Sequence, residues 1–458
     1  MAATAAPGLT SVTALTRKGA DFRDARVIGF DLDHCLARYT RPALSELIFR
    51  GLAAFLVEHK AWPASLSKAD ARVDLQCKGI VFEFSSGNLL RLDAQGRVAQ
   101  AWHGLASLPD TAIAELYGEA PWQHFDDLRA MRRHPAFLVF LTYFDIPAAA
   151  LLAHAVQLAD STWQPPSRGD GDSGYEFLAA DLFAAFEHEF NNVDAFTPRR
   201  GTFFPALQDH PEAYLLPRPA LATWLKRRRD RGQHTFLATN SCLEFAQFLL
   251  AFTLGQDWRE CFDLIIMDAC KGAFFTKVAP LCRPDAAGAR AGEAVKSVSL
   301  PSTQLYVNGS ASLVEAWVAG LQQAGDGGGP VTVQLAQDGT VLSAGGHVAG
   351  QHGAHPNPIA EGLQDAMEDA VSPATDGTPA AVSTPSPVAD SIWYCGDHLH
   401  GDVAAAAGIR WNTVAVVEEM AQEGGIATLK RAQTDMQPRE VDVSGDAAVA
   451  SSIQLLQG

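Results

Sequence analysis

Short apolar runs alternate with longer stretches of helical periodicity along most of the chain. These runs occupy residues 26–30, 235–238, 262–267, 392–394 and 413–417. Their unbroken apolar character and short length are typical of strands buried on both faces of a parallel sheet. Residues 221–229 and 241–254 place apolar side chains three and four positions apart, which predicts helices. Strands separated by helices of this length predict an α/β fold with a parallel sheet.

A section at residues 42–217 interrupts this alternation and is rich in aromatic residues. Helical periodicity recurs at residues 44–57 and 177–190, and residues 78–93 predict two short strands around a turn. The most apolar stretch, residues 136–159, is interrupted by an acid, a proline and a histidine. A membrane-spanning helix needs about 20 nearly uncharged residues, so we interpret this stretch as buried core.

Residues 324–390 differ in composition from the rest of the chain. They are rich in glycine, proline and serine and poor in aromatic residues, which predicts a low-complexity, disordered insertion. Within it, residues 331–335 and 341–342 could form a small hairpin. The N-terminal residues lack the continuous apolar run of a signal peptide, which favours a flexible tail, with a short organelle transit peptide as the alternative.

Charge and cysteine content narrow the class of protein. The chain has 458 residues, with 52 acidic against 35 basic side chains and a formal net charge of −17. This balance argues against a nucleic-acid partner, because neutralising backbone phosphates requires a basic surface. The seven cysteines include no CxxC pair, which favours reduced thiols in a cytoplasmic protein over a disulfide framework or a zinc cluster.

The first candidate for chemistry follows the first apolar run. Asp31 and Asp33 come at the carboxyl end of the predicted strand, where ligands bind in open α/β sheets. Alternation along a strand would turn both carboxylates to the same side. Two neighbouring carboxylates favour a divalent cation or unlike protonation states. A solvated loop is the alternative, since two acids with this spacing are common.

Hydroxyl, amide and lysine side chains follow the next two predicted strands. Thr239, Asn240 and Ser241 precede a helix, where a helix N-terminus and a hydroxyl could bind an anion. Asn240 or Ser241 could equally be the N-cap of that helix. Lys271 follows the strand after it, although a single lysine is usually solvent-exposed.

A second acidic pair follows the apolar run at residues 392–394. Asp397 and Asp402 are flanked by glycines, which suits oxygen coordination of Mg²⁺. His398 and His400 suggest zinc instead, but no cysteine or histidine partner has the spacing of a zinc site, so the magnesium interpretation is favoured.

Taken together, these motifs resemble the four motifs of the haloacid dehalogenase superfamily. Five segments also resemble its cytosolic 5′-nucleotidase II-type (purine 5′-nucleotidase) branch, including the 5′-nucleotidase domain-containing proteins: FDLDHCLARY (30–39), KGIVFEF with GNLLRLDAQG (78–96), FLATNS (236–241), FDLIIMDACKGAFF (262–275) and GDHLHGD (396–402). The resemblance implies a three-layer α/β/α core with a parallel, Rossmann-like sheet and a mostly helical cap inserted after the first motif. The implied organisation is a tail at 1–23, a catalytic core at 24–41, 218–323 and 391–430, a cap at 42–217, the insertion at 324–390 and a tail at 431–458.

The resemblance also implies a role for each motif residue. Asp31 would be the nucleophile that forms an aspartyl phosphate, and Asp33 the general acid and base. Thr239 and Asn240 would bind the transferring phosphoryl group, and Lys271 would neutralise its charge. The metal site would hold Mg²⁺ through Asp31, the Asp33 carbonyl and Asp397, with Asp402 orienting the shell. In the cap, Phe144 matches an aromatic residue that stacks on the substrate base.

Several positions depart from the family pattern. Cys35 stands where the family usually has threonine, and Gly272 replaces a proline after the motif lysine, so we expect a looser active-site loop there. In the cap, Leu141 replaces an amide that helps to read the purine, and the substrate contacts fall at Asp194 and Pro198. Purine specificity is therefore not expected to carry over directly.

The sequence thus predicts a Mg²⁺-dependent phosphomonoester hydrolase acting on a nucleoside monophosphate or a similar small molecule. The alternatives are a weakly active or inactive nucleotide-binding scaffold on the same fold, and a phosphotransferase that passes the phosphoryl group to a nucleoside. We expect no nucleic-acid or membrane partner, and the sequence leaves homo-oligomerisation open.

Overall fold

The chain divides into two compact units. The structure is a computed structural model that describes residues 11–16, 25–72, 75–129, 134–163, 174–190, 196–285, 292–325, 329–346, 388–416 and 437–442. In these residues, a core unit comprises 11–38, 217–416 and 437–442, and an inserted unit comprises 39–216. The inserted unit falls within a few residues of the section that the sequence sets apart at 42–217.

The core unit is built on a nine-stranded sheet. From edge to edge its strands are Leu281–Cys282, Leu305–Asn308, Leu264–Met267, His234–Ala238, Val27–Phe30, Ile392–Gly396, Asn412–Ala415, Ser11–Thr16 and Gln437–Asp442. The strands from Leu305–Asn308 to Asn412–Ala415 are mutually parallel. Val27–Phe30 lies near the centre of this parallel group, so the chain winds outward from it in both directions. The prediction of an α/β fold with a parallel sheet is confirmed.

Helices connect the parallel strands, as expected for a parallel sheet. In the core unit the α-helices are Pro219–Asp230, Leu243–Leu254, Lys271–Phe274, Ala311–Ala324 and Ala405–Gly408, with 3-10 turns at Trp258–Cys261 and Ala389–Ser391 and a π turn at Leu399–Ala404. The apolar core beside the sheet includes Phe236, Phe275, Tyr394 and Trp411, whose rings lie 5.3–6.0 Å apart.

The last two strands at one end of the sheet come from segments that the sequence assigns to tails. Ser11–Thr16 falls in the predicted tail at 1–23 and pairs antiparallel with both Asn412–Ala415 and Gln437–Asp442. Gln437–Asp442 falls in the predicted tail at 431–458. Ser11–Thr16 (SVTALT) mixes hydroxyl and apolar residues, and Gln437–Asp442 (QPREVD) is mostly polar, so neither has the continuous apolar run that identifies the parallel strands.

A second small sheet extends the core unit. Ser297–Leu300, Val331–Leu335 and Val341–Gly346 form three antiparallel strands, so the predicted hairpin is present. A side chain at Gly320 would lie 2.4 Å from Val331, so glycine allows this sheet to pack against Ala311–Ala324. The ordered hairpin corrects the predicted disordered insertion at 324–390 over its first part. Residues 347–387 lie outside the described residues.

The inserted unit combines helices with a sheet. Its helices are Arg41–Lys60, Asp110–Tyr117, Phe125–Arg129, Pro147–Ala159, Phe177–Phe190, Phe203–Asp209 and Pro211–Tyr214, with a 3-10 turn at Ala64–Lys68. An antiparallel sheet runs in the order Ala106–Ser107, Val98–His103, Asn88–Leu92, Ile80–Glu83 and Phe137–Phe140. Short strands also lie at Arg38–Tyr39 and Leu215–Leu216. The sheet has five strands where the sequence predicts two.

The apolar stretch at residues 136–159 folds as two elements. Phe137–Phe140 is a strand, and Pro147–Ala159 is a helix with most of its residues buried. The break between them contains Asp145, whose carboxylate accepts hydrogen bonds from the backbone of Leu141 and Thr142. In the described residues, no helix combines the length and apolar character needed to cross a membrane.

Candidate active site

Asp31 lies at the carboxyl end of the central strand. The four residues of Val27–Phe30 are fully buried, and the Asp31 backbone N–H continues the sheet by donating to the Cys395 carbonyl at 2.8 Å. A side chain at Gly29 would lie 2.1 Å from the Phe236 ring, so only glycine allows the neighbouring strand to pack this closely. The strand thus places a carboxylate that is only 4% exposed at the edge of the sheet.

Lys271 reaches the same place through a sharp turn. Asp268 and Cys270 both adopt positive φ angles, 50° and 51°, directly after the buried strand Leu264–Met267. The turn is held by the Lys271 backbone N–H, which donates to Asn240 Oδ1 at 2.7 Å. Asn240, predicted to bind the phosphoryl group, therefore uses its amide oxygen to position the lysine loop.

The Lys271 ammonium bridges two carboxylates. Its Nζ atom lies 2.7 Å from Asp31 Oδ2 and 2.6 Å from Asp402 Oδ1, and all three side chains are buried. The other Asp31 oxygen, Oδ1, accepts a hydrogen bond of 2.7 Å from the Leu32 backbone N–H. Two donors therefore fix the Asp31 carboxylate in one orientation. The lysine thus lies beside Asp31, the residue predicted from the sequence to be the nucleophile.

Asp402 owes its position to a glycine at the end of a strand. A side chain at Gly396 would lie 2.4 Å from Asp402 Cβ, so the aspartate packs directly against the glycine backbone. Its Oδ2 atom accepts a hydrogen bond of 3.1 Å from the His398 backbone N–H. Both Asp402 oxygens thus have partners, and the side chain orients Lys271.

Asp397 completes a cluster of three buried carboxylates. One carboxylate oxygen from each of Asp31, Asp397 and Asp402 lies within 4.8 Å of the others. With the Lys271 ammonium included and every group ionised, the four side chains carry a net charge of −2. Oxygen donors with an uncompensated double negative charge fit a divalent cation such as Mg²⁺. The three carboxylates predicted as ligands are therefore brought together, while the contribution predicted for Asp33 is its backbone carbonyl and stays a prediction.

Burial and charge shift the titration of these groups. Burial raises the pKa of Asp31 well above its ordinary value, and the negative charges of Asp402, Asp397 and Asp33 act in the same direction, while Lys271 opposes them. For Lys271, burial opposes protonation, but the charges of Asp31 and Asp402 outweigh it and raise the pKa of the ammonium. The lysine is thus held charged, and the carboxylates repel one another in its presence.

Asp33 is held by a partner from the neighbouring strand. Ser241 donates a short hydrogen bond from Oγ to Asp33 Oδ2. The backbone N–H of Ser241 also donates a hydrogen bond of 3.2 Å to Thr239 Oγ1. The helix Leu243–Leu254 begins after Cys242 in the N-cap position, so neither Asn240 nor Ser241 caps it. The N-cap alternative is therefore wrong.

Cys35 and Gly272, the two departures from the family pattern near the motifs, both fit their surroundings. The Cys35 thiol donates to the Cys395 carbonyl at a distance of 3.4 Å, so the loop retains a contact to the adjacent strand. Gly272 lies in the helical turn Lys271–Phe274, and a side chain there would meet nothing within 4 Å.

Arg218 is a buried cation that sequence patterns do not mark. Its Nη1 atom donates to the backbone carbonyls of Cys35 and Leu36 at 2.9 and 3.1 Å. Burial lowers the pKa of Arg218 to about 10, which leaves it charged at neutral pH. The residue fixes the backbone just beyond Asp33, and an isolated arginine before a proline gives no signal of this role.

The aromatic residue predicted for base stacking belongs to the inserted unit. Phe144 is half-buried, with edge-to-face contacts to Tyr39, Phe190 and Phe203 at centroid distances of 5.7–5.9 Å. Asp194 lies outside the described residues. The site described above belongs to the core unit alone.

Comparisons with known proteins agree with the family resemblance of the sequence. A model described as the 5′ nucleotidase family matches residues 18–321. Human 5′-nucleotidase domain-containing protein 1 is 32% identical over 261 residues, which cover 56% of this chain and 55% of that protein. The bovine protein of the same name is 32% identical, covering 56% of each chain. Human 5′-nucleotidase domain-containing protein 2 is 29% identical, covering 56% of this chain and 46% of its own.

The chain spans about half the length of these relatives. The family match ends before Asp397 and Asp402, so their position in the site depends on the geometry described above. It nevertheless includes Asp31, Thr239 and Lys271 and extends over more than half of the sequence. The chain belongs to the 5′ nucleotidase family.

Proposed function

We propose that this protein is a Mg²⁺-dependent phosphomonoesterase with a haloacid dehalogenase-type core. The observation that supports this most directly is the buried Lys271 ammonium between Asp31 and Asp402, with Asp397 beside them. A cation beside an oriented carboxylate suits attack on a phosphate ester, because the ammonium offsets the repulsion between the two anions.

In the proposed reaction, an oxygen of Asp31 attacks phosphorus and the bond from phosphorus to the ester oxygen breaks. Asp33 gives its proton to the departing oxygen, which leaves an alcohol and an aspartyl phosphate. A water molecule then attacks the phosphorus of that intermediate while Asp33 accepts its proton. The bond between phosphorus and Asp31 breaks, which releases inorganic phosphate and restores the carboxylate.

Four residues of this chain would prepare that reaction. Lys271 would bind a phosphoryl oxygen, and Asp402 would keep the lysine charged and in place. Ser241 would hold the Asp33 carboxyl group in place through the hydrogen bond to Oδ2. Thr239, at the carboxyl end of the adjacent strand, would offer its hydroxyl to the same phosphoryl group.

Asp31, Asp397 and the Asp33 carbonyl would hold Mg²⁺, while Asp402 would orient the surrounding shell. When bound, the ion would draw charge from the phosphoryl oxygens and lower the barrier to their approach. The fit is supported by the three clustered carboxylates and by the net charge of −2 that they carry with Lys271 when every group is ionised.

The substrate class that we propose is a nucleoside 5′-monophosphate. The names of the similar proteins support this class, and Phe144 offers a half-buried aromatic ring in the inserted unit. Leu141 and Asp194 stand at positions where the family resemblance implies substrate contacts, so we propose no particular base.

The decisive experiment measures phosphate release from a panel of nucleoside monophosphates and sugar phosphates, with Mg²⁺ and with a chelator. We expect Asp31→Asn to abolish release, while Asp338→Asn, at an exposed hairpin turn, retains it as a matched control. Activity that survives chelation would contradict the metal assignment. Unchanged turnover in Asp31→Asn would contradict the covalent mechanism.

A weakly active or inactive nucleotide-binding protein is the second candidate. It is favoured by the closed arrangement around Asp31, whose two oxygens already accept from Leu32 N–H and Lys271. Release of a single equivalent of phosphate, or nucleotide binding without hydrolysis, would support this alternative over continuous turnover.

A further inference from the structure

Two histidines and an aspartate converge in the inserted unit, away from every residue assigned above. His124 immediately precedes the helix Phe125–Arg129, and Asp127 lies three residues later, on the same side of that helical turn. His134 comes just before the strand Phe137–Phe140 and faces the same carboxylate. We call these three residues the histidine cluster.

The geometry of the histidine cluster points to a binding site for a divalent transition metal, and we propose Zn²⁺ or a close chemical relative as its ligand. Two imidazoles and one carboxylate form a zinc donor set that leaves a fourth position for water. Imidazole nitrogens also discriminate against Mg²⁺, which prefers oxygen ligands. The proposal is independent of the phosphomonoesterase function.

The distances are close to those that a metal would impose. Two ligands that each lie about 2.1 Å from a tetrahedral ion are roughly 3.4 Å apart. His134 Nε2 lies 3.4 Å from Asp127 Oδ2, and His124 Nδ1 lies 3.9 Å from the same oxygen. One donor atom from each residue lies within 4.8 Å of the others. Small side-chain adjustments would therefore bring all three to bonding distance.

Aromatic packing restricts both imidazole rings before any ion arrives. The His134 ring stacks on Phe137 with centroids 4.7 Å apart and an interplanar angle of 17°. The His124 ring lies edge-to-face with Trp122 at 5.1 Å and 4.7 Å from the His134 ring. Restricted rings lose less rotational freedom on coordination, which favours binding.

A hydrogen bond to the His134 ring limits the expected affinity for a metal. His134 Nδ1 accepts a hydrogen bond of 3.2 Å from the Ala136 backbone N–H, which places the proton of the neutral ring on Nε2, facing Asp127. A metal at Nε2 shifts that proton to Nδ1, so the Ala136 contact is lost. We therefore expect weaker binding than in a closed four-ligand zinc site.

A bound ion would link the helix Phe125–Arg129 to the chain just before the strand Phe137–Phe140. Both histidine side chains are 22% exposed and Asp127 is 50% exposed, so an ion can enter from solvent. Binding to the folded state alone stabilises it by mass action. The expected consequence is a rise in melting temperature with Zn²⁺.

The test is a Co²⁺ titration of the chelator-treated full chain in excess Mg²⁺, followed by visible absorption. Co²⁺ substitutes for Zn²⁺ and reports nitrogen coordination, while Mg²⁺ occupies oxygen sites. We expect one equivalent of Co²⁺, a visible band that His124→Ala and His134→Ala each abolish, and an undiminished band in Asp31→Asn. His210→Ala is the matched control, because His210 is 72% exposed beside Glu212 and lies outside the cluster.

If both cluster variants bind one equivalent of Co²⁺ as the parent chain does, the proposal is overturned. The three side chains would then form only ion pairs with one another. Melting curves without metal verify that each variant is folded. If His134→Ala does not fold, His124→Ala still decides the outcome, because the His124 ring makes no hydrogen bond to the described residues. A Zn²⁺-dependent rise in melting temperature that persists in His124→Ala would also contradict the site.

Discussion

Gly396→Ala is the sharpest test of the geometry around Lys271. An alanine methyl at this position would lie 2.4 Å from Asp402 Cβ and 2.5 Å from its Cγ and Oδ2. The Asp402 backbone N–H donates to the His398 carbonyl at 2.9 Å, so the main chain cannot retreat without losing that bond. Because the nearest clashing atom is Asp402 Cβ, rotation of the side chain cannot relieve the overlap. The backbone must therefore shift, which weakens the bond to His398 and moves the Asp402 carboxylate away from Lys271.

The size of the effect follows from the burial of both partners. Asp402 is fully buried and Lys271 is 5% exposed, so the displaced carboxylate has no access to solvent. Breaking a buried ion pair typically costs about 3–5 kcal/mol. In a unit of this size, that loss lowers the melting temperature by at least about 6 °C. The proposed phosphatase activity should fall as well, because Lys271 loses the group that orients it.

Gly272→Ala provides the matched control. It is the same substitution directly beside Lys271, but a side chain there would meet nothing within 4 Å. Alanine is the better helix former, so we expect unchanged stability or a gain of roughly 0.5–1 kcal/mol. Thermal melting and phosphate release would be measured on both variants. Equal melting temperatures for Gly396→Ala and Gly272→Ala would refute the steric reasoning, whatever the activity.

Three further predictions concern other residues of the core unit. Ser241→Ala should lower kcat roughly 10- to 100-fold with little change in KM, as expected for losing a hydrogen bond to a charged group, and Ser241→Thr should restore most of it in steady-state assays. Arg218→Met should destabilise the protein by about 2 kcal/mol or more in urea unfolding, because two carbonyls lose their donor, and an unchanged midpoint would contradict this. Burial raises the pKa of Glu315 to about 7, so the folded state holds a proton that the unfolded state has released and stability falls as pH rises from about 4.5 to 7. Glu315→Gln should remove that loss, gaining up to about 3 kcal/mol above pH 7 and nothing below pH 4.5, whereas Glu212→Gln, at an exposed position, should follow the parent protein in pH-dependent unfolding.

The parallel strands of the core unit are predictable because both of their faces are buried. Val27–Phe30 and Leu264–Met267 are apolar at every position, and such runs are visible without knowing their partners. The sequence does not predict the strand Val98–His103, because its buried and exposed residues alternate irregularly. The pairing with its partner strand also shifts register between Arg91 and Leu92. The sequence does not predict Ser11–Thr16 either, because SVTALT mixes hydroxyl and apolar side chains and lacks a continuous apolar run.

The predicted strands indicate where the site residues lie, but they do not indicate which hydrogen-bond or ion-pair partner each residue has. Asp31, Thr239 and Asp397 each follow a predicted strand, and strand order brings them to one edge. Which oxygen meets Lys271, and which serine holds Asp33, depends on turns that sequence patterns do not specify. Positive φ angles at Asp268 and Cys270 direct the lysine inward, and neither residue is a type that marks such a turn reliably.

The candidate site, like the chain as a whole, has more acidic than basic side chains. Three buried carboxylates outweigh one ammonium, so a phosphate dianion approaching these four groups alone would meet net repulsion in a weakly screened environment. Lys271 cannot relieve this repulsion by itself, because Asp31 and Asp402 already share its charge. A divalent cation would bring the cluster to neutrality and leave the lysine free to meet the incoming oxygens. The proposed dependence on Mg²⁺ therefore concerns substrate binding as much as the chemical step, which is why chelation should abolish both.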